Sequence, residues 1–280
     1  DIPKTSIYAP IGAYKDLLPY LVRRLLENGA NSSFINRLLD SEVDAKKLAE
    51  NPAKVLKSKL EKNNLLKIKL PKNMFDDRDN SPGLDLTERE NIDSVKSNLE
   101  KFKNIIFDAT SSINSSGSKT EVKSLCDDRV IGSVTFDTPD SIKNTLGDKS
   151  INYDWSKTDI NHRSHILQKV ADLIQFNADE LLYLLLHETG KTIHDAWDEL
   201  REAEDFLRFY CNEANHIQAK PRELKGPTGE LNEISYHPKG TFLCISPWNF
   251  PAAILVGQIS AALITGNNVV VKPSEYASLI

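Results

Sequence analysis

Two adjacent arginines near the amino terminus, Arg23 and Arg24, are well suited to bind a small anion. Each guanidinium offers a planar fork of N–H donors that can grip a carboxylate through two parallel hydrogen bonds. Helical spacing places Tyr20 and Glu27 on the same face, which therefore favours a small carboxylic acid as ligand. The alternative is a surface helix on which Arg23 and Glu27 form an i,i+4 ion pair, worth only about 0.2–0.5 kcal/mol.

A second set of polar residues lies near the carboxyl terminus, between two short apolar segments. Thr241–Ile245 and Val269–Val271 are short apolar runs rich in strand-favouring residues, and Ala252–Ile264 has helical spacing between them. This order predicts a parallel βαβ crossover. Trp248 and Asn249 follow the first strand directly, and open α/β sheets bind their ligands at that end of a strand.

Other elements must position these residues. Pro251 is expected in the first turn of the crossover helix, where its missing N–H costs nothing. Leu17–Glu27 is predicted as a helix whose apolar half packs on a core. Arg129–Phe136 and Leu231–His237 are predicted strands. Two or three helices are expected over residues 159–217, and the last carries an apolar stripe of Ile193, Trp197, Leu200, Leu207 and Tyr210.

The motif SPWNFP, followed by GNNVVVKPSE, is similar in order and spacing to the aldehyde dehydrogenase superfamily. The resemblance implies that the Asn249 side-chain amide stabilises the oxyanion of a thiohemiacetal, and that Lys272 and Glu275 contact the adenosine ribose of NAD. An amide N–H aimed at developing charge can lower a barrier by about 3 kcal/mol. Each residue alone is also typical of a helix cap or a solvated cation. The NAD-binding residues implied by the resemblance are Ile245, Ser246, Pro247, Trp248, Asn249, Lys272, Ser274 and Glu275.

The amino-terminal segment Ile7–Arg37 contains YAPIG, YLVRRLLENGAN and SFINR. It is similar to the last strand and helix of the proline dehydrogenase barrel in the bifunctional proline utilization A proteins. The resemblance implies that Arg23 and Arg24 hold the carboxylate of L-proline and that Tyr20 packs on the proline ring. It also places Tyr8 and Glu27 in the same flavin-side site. The segments RDNSPGLDL and HETGKTIHDAWDELREAEDFLRFY resemble further parts of these proteins.

These resemblances imply an α/β fold. Residues 1–39 are expected to form the end of a (β/α)8 proline dehydrogenase barrel. Residues 40–118 are expected to form a helical connector, whose last part, Asn104–Ser118, ends in SSINSSGS, a turn-rich or flexible linker. Residues 119–280 are expected to form the amino-terminal part of a doubly wound, aldehyde dehydrogenase-type NAD-binding domain. Asp1 resembles a cut end because no initiating Met or signal peptide precedes it.

The implied function is that of an internal fragment of a bifunctional enzyme. Such an enzyme oxidises L-proline to pyrroline-5-carboxylate with FAD, and glutamate semialdehyde to L-glutamate with NAD. The fragment itself is expected to be inactive, because the family's cysteine nucleophile and glutamate base have no counterpart in it. The alternatives are a monofunctional aldehyde dehydrogenase with an amino-terminal extension and a non-catalytic nucleotide-binding module. The resemblance also implies a homo-oligomer. It leaves open whether an electron acceptor peripheral to the inner membrane is a partner.

Composition narrows the class of protein further. The net charge of −5 argues against a general nucleic-acid binder. The three cysteines, Cys126, Cys211 and Cys244, are widely spaced and odd in number, which favours reduced thiols in the cytoplasm over a disulfide framework. The six histidines show no paired metal-ligand spacing, so no metal site is predicted. Polar residues interrupt the longest apolar segment, Ala252–Val271, which does not predict a membrane span.

Overall fold

The computed structural model describes residues 11–29, 44, 46, 49–61, 69–113, 117–147 and 154–280. The chain divides into two compact units, Asp1–Ile68 and Lys69–Ile280. The helices described are α1 Tyr14–Gly29, α2 Pro52–Glu61, α3 Arg89–Leu99, α4 Pro139–Gly147, α5 Asp154–Lys157, α6 Ile160–Phe176, α7 Ala178–Thr189, α8 Ile193–Gln218 and α9 Ala253–Ile264. The strands are β1 Phe107–Thr110, β2 Lys119–Lys123, β3 Val130–Thr135, β4 Arg222–Lys225, β5 Leu231–Ile234, β6 Thr241–Ile245 and β7 Asn268–Lys272.

In the first unit, α1 confirms the helix predicted for Leu17–Glu27 and extends it at both ends. The packing expected for its apolar half is not seen, because Leu21, Leu25 and Leu26 are between 50% and 74% exposed. The physical reason is that the described residues of this unit form only α1 and α2, and supply no sheet for that half to cover.

In the second unit, three helices, α6, α7 and α8, precede the crossover unit, and α6 and α8 pack against its helix α9. They confirm the two or three helices predicted there. Leu200 and Leu207 on α8 are buried, as the predicted stripe requires, and they belong to two separate hydrophobic clusters. Across the part of the chain that the structure describes, no helix has the length and apolar character needed to cross a membrane.

The sheets are small. β3 lies between β1, which is parallel to it, and β2, which is antiparallel. β1, which was not predicted, lies in the first part of Asn104–Ser118, ahead of the serine-rich stretch, and its four residues pair along β3. β4, which was not predicted, pairs antiparallel with β5.

The crossover unit is confirmed. β6 and β7 pair in parallel, and α9 connects them. Gly257 on α9 lies so close to α8 that an added Cβ would come 3.1 Å from the Phe206 ring. A glycine here therefore allows α9 to approach α8 closely.

A polar cluster joins α7 to the strand pair β2–β3. The hydroxyl of buried Ser124 lies 2.9 Å from Nδ1 of His187, and Nη2 of Arg129 lies 3.4 Å from Nε2 of the same ring. Because a guanidinium only donates, Nε2 must accept, and Nδ1 carries the proton towards Ser124. The cluster therefore requires a neutral His187.

We expect this cluster to weaken below neutral pH. Burial and the charge of Arg129 lower the pKa of His187 below its ordinary value. Its contribution to stability is thus fully present above the unfolded pKa, about 6.5, and is lost as the pH falls below that value and through the lower pKa of the folded state. Guanidinium unfolding between pH 7.5 and 5.5 should show a decline in the free energy of unfolding that is shallower in His187→Gln. The same substitution at exposed His165 is the control, and an equal change there would contradict the assignment.

Candidate functional site

The candidate site is built on the carboxyl ends of β6 and β7. In the parallel register Ile245 lies opposite Lys272, so both strands end at the same edge. The pairing continues one step further, because the backbone N–H of Ser246 donates to the carbonyl of Lys272 at 3.0 Å. The segments that follow, 246–252 and 273–280, therefore leave the sheet side by side.

The turn after β6 is tied together by the buried side chain of Ser246. Its hydroxyl lies 2.9 Å from the carbonyl oxygen of Pro251 and 3.1 Å from that of Pro247. Pro251 is not in the first helical turn as predicted, because α9 begins at Ala253 and Ala252 is its N-cap. The reason is the bond from Ser246, which holds the Pro251 carbonyl in the turn.

Trp248 and Asn249 lie at the outer part of this turn. Trp248 is 61% exposed, and Asn249 is exposed as well. A side-chain amide in this position can direct its N–H donors at a ligand outside the sheet edge. The turn therefore meets the requirement for an oxyanion donor, a polar group held on a rigid backbone.

The last residue of β6 is held by a side chain of α9. The backbone N–H of Ile245 donates to Oε1 of Gln258 at 2.9 Å, and Nε2 of Gln258 donates to the carbonyl of Ile245 at 3.2 Å. The Ile245 side chain stays half exposed at this edge. It can offer an apolar surface to a flat ring.

The end of β7 and the segment after it carry Lys272, Ser274 and Glu275. Lys272 and Glu275 are exposed, and Nζ of Lys272 donates to the carbonyl of Pro273 at 3.3 Å. An exposed ammonium and an exposed carboxylate can both meet the hydroxyls of a ribose. Ser274 is buried, and its hydroxyl accepts from the N–H of Tyr276 at 3.2 Å. The side chains of Ser246 and Ser274 thus make internal bonds that shape the two turns.

Two buried glutamates that the sequence did not single out hold the same two turns. Oε1 of Glu199 accepts from the N–H groups of Ala252 and Ala253 at 2.8 and 3.2 Å. Glu188 accepts from the N–H groups of residues 278–280 at 2.6 to 3.1 Å. Burial raises the pKa of Glu188, against the opposing effect of these bonds. Glu188 lies in the HETGK segment and Glu199 in the helix after it. The sequence of these segments indicated a family resemblance but no chemical role.

These bonds also limit how a nucleotide can bind. The first amides of a helix commonly hold a phosphate, but those of α9 already bind a carboxylate. The donor set at this edge, Lys272 with Glu275, suits the hydroxyls of a ribose. The residues present therefore fit the nucleoside part of NAD, and the amides of Ala252 and Ala253 are not open to a phosphate.

The amino-terminal candidates belong to the first unit. Tyr20, Arg23, Arg24 and Glu27 all fall within α1, so the backbone of a continuous helix places these four positions on one face. Tyr8 lies outside the described residues. The structure thus confirms the helix, and the role of the four residues in binding stays a prediction.

The cysteines are free thiols, as predicted. Cys211 and Cys244 are buried and Cys126 is exposed. Burial raises the pKa of the Cys244 thiol on β6, which suits a packing residue better than a nucleophile. The described parts of the chain contain no group of histidine, cysteine and carboxylate side chains that could hold a metal ion.

Comparison with known proteins agrees with this geometry. Residues 113–280 match the model of the aldehyde dehydrogenase family, and residues 2–37 match that of proline dehydrogenase. Over 98% of its length the chain is 35% identical to the bifunctional protein PutA of Escherichia coli, of which it covers 21%. The chain thus spans about a fifth of the length of the curated relatives it matches.

Solved structures give the same result. The proline utilization A protein of Bdellovibrio bacteriovorus, inactivated by N-propargylglycine, matches 96% of the chain with a TM-score of 0.67 and 28% identity, and the chain covers 28% of it. The 1-pyrroline-5-carboxylate dehydrogenase from Thermus with bound NAD matches 71% of the chain, at a TM-score of 0.63 and 26% identity, over 40% of its own length. This chain therefore belongs to the aldehyde dehydrogenase family, and it resembles bifunctional proline utilization A proteins along almost its whole length.

Proposed function

We propose that the protein carrying this chain is a bifunctional enzyme of proline catabolism. It oxidises L-proline to pyrroline-5-carboxylate with FAD, and glutamate semialdehyde to L-glutamate with NAD. The observation that carries the second activity is the shared edge of β6 and β7, where Asn249, Lys272 and Glu275 are exposed. The match to the proline dehydrogenase model over residues 2–37 supports the first.

At the aldehyde dehydrogenase site, each residue has a separate task. Asn249 donates an N–H to the oxygen of the substrate as negative charge develops there. Trp248 and Ile245, both at least half exposed, form the apolar side of the groove against the nicotinamide. Lys272 and Glu275 bind the adenosine ribose. When bound, NAD supplies the acceptor for the hydride.

At the proline site, Arg23 and Arg24 bind the substrate carboxylate with their guanidinium forks. Tyr20 packs on the ring of proline, and Tyr8 and Glu27 complete the site on the flavin side. FAD, when bound, accepts the electrons of the substrate. This assignment rests on the position of the four residues on α1 and on the family match there.

The domain division follows from the same proposal. Residues 1–39 end the proline dehydrogenase barrel, residues 40–118 connect it, and residues 119–280 begin the NAD-binding domain, which the two family matches support. The free thiols favour a cytoplasmic protein. We further propose a homo-oligomer that passes electrons from the flavin to an acceptor at the inner membrane. The 280 residues by themselves carry neither reaction.

The proposal is tested with protein expressed from its complete natural coding sequence. One assay follows reduction of an artificial electron acceptor on addition of L-proline. The other follows formation of NADH on addition of pyrroline-5-carboxylate, which hydrolyses to glutamate semialdehyde. We expect both activities in one polypeptide.

The two assays also separate the alternatives. NADH formation without proline oxidation would indicate a monofunctional aldehyde dehydrogenase with an extension. NAD binding by calorimetry with neither activity would leave a non-catalytic nucleotide-binding module. Either result would contradict the bifunctional assignment.

A further inference from the structure

The most unusual contact near the site is a buried charge at the start of α9. The side chain of Glu199 on α8 is fully buried, and Oε1 accepts from two successive backbone amides, those of Ala252 and Ala253. The N-cap residue Ala252 has no side chain that could do this itself. A carboxylate from another helix therefore takes the place of the usual cap, and its charge suits the positive end of α9.

A lysine completes the arrangement. Nζ of Lys191 lies 3.1 Å from Oε2 of Glu199, and the Lys191 side chain is only 12% exposed. The same ammonium lies 4.1 Å from the centre of the Phe250 ring, which is a cation–π distance. Phe250 is the residue after Asn249. Glu199 thus contacts the backbone of the turn, and Lys191 contacts the side chain of Phe250 within it.

We propose that Glu199 and Lys191 are positioning residues that fix the orientation of Asn249. They touch neither substrate nor cofactor. The carboxylate fixes the backbone after Asn249 at Ala252 and Ala253, and the ammonium fixes the ring of Phe250 directly beside it. This inference rests on the proposed function, because it concerns the oxyanion donor of that reaction.

If Glu199 and Lys191 only stabilised the fold, their removal would have the same effect as the removal of any other buried ion pair. Helix α8 carries a second buried glutamate, Glu204, which pairs with Arg208 at 2.9 Å and makes no bond to the turn. Removing one partner of a buried pair is destabilising wherever it lies. Loss of stability alone therefore does not distinguish the two glutamates, and Glu204→Gln is the matched control.

The first measurement is amide hydrogen exchange in the complete protein, which needs no activity. In Glu199→Gln and in Lys191→Met, we expect exchange over residues 246–257 to accelerate by about tenfold or more, as local opening becomes easier. In Glu204→Gln, exchange of this peptide should stay as in the wild type. Equal exchange in all variants, or acceleration spread over the whole unit, would overturn the proposal.

The second measurement separates kcat from KM. Glu199→Ala should lower kcat for semialdehyde oxidation by about tenfold or more, because a small displacement of a catalytic group slows the reaction strongly. The KM for NAD should rise less than kcat falls, since Lys272 at the end of β7 and Glu275 after it lie outside the turn that Glu199 holds. Glu199→Gln retains a carbonyl acceptor for the two amides and should recover part of the loss.

The outcomes distinguish a failure of the proposed function from a failure of the positioning role. If the wild type lacks semialdehyde oxidation, the proposed function fails while the exchange result still decides the positioning role. If the wild type is active and Glu199→Gln matches Glu204→Gln in both kcat and exchange, the positioning role fails alone. Should Glu199→Ala not fold, Glu199→Gln and Lys191→Met give the same decision.

Discussion

Replacing Asn249 by alanine is expected to lower kcat for oxidation of glutamate semialdehyde by about two orders of magnitude, the usual loss for one oxyanion donor. The side chain is exposed at the end of β6, so its removal leaves no buried group without a partner. KM for NAD should stay close to the wild-type value. Steady-state kinetics with the complete protein, at saturating NAD, measures the effect.

Two further variants sharpen this prediction. Asn249→Asp keeps the size of the side chain but replaces the donor with a negative charge, and it should be at least as damaging as alanine. Asn161→Ala, at an exposed position on α6, is the matched control and should leave kcat unchanged. An unchanged kcat in Asn249→Ala would return Asn249 to the role of a turn residue.

The parts of the fold that the sequence predicted are those set by local pattern. The strand, helix and strand of the crossover unit were predicted within a residue or two at each end, because composition and periodicity within one segment determine them. The apolar stripe of α8 was predicted for the same reason, because its residues recur at helical spacing within one segment. A role could likewise be proposed from the sequence for a residue in a short motif, as with Asn249.

Contacts between distant segments could not be predicted. Glu199 lies 53 residues from Ala252 in the chain, and no local rule predicts that a helix borrows its cap from another helix. β1 was missed because its strand character depends on pairing with β3. Pro251 was misplaced because its carbonyl bond to Ser246 outweighs the preference of proline for the first helical turn.

The second large effect concerns the arginines of α1. Arg23→Ala and Arg24→Ala should each raise KM for L-proline by roughly tenfold to a hundredfold, which corresponds to losing hydrogen bonds to a charged group of about 1.5–3 kcal/mol. Semialdehyde oxidation should be nearly unaffected, because α1 belongs to a different compact unit from β6 and β7. Initial rates of proline-dependent acceptor reduction, measured against proline concentration, test this.

The planar guanidinium of arginine allows a more specific test. Arg23→Lys keeps the charge but loses the two parallel donors, so it should recover only part of the affinity for proline if the grip is bidentate. Full recovery by lysine would show that charge alone is required.

Lys15→Ala, an exposed cation on the same helix, is the control for a change in net charge and should leave KM for proline unaltered. Equal damage to both activities by Arg23→Ala would indicate that the arginine maintains the fold, and the carboxylate-binding role would then be wrong.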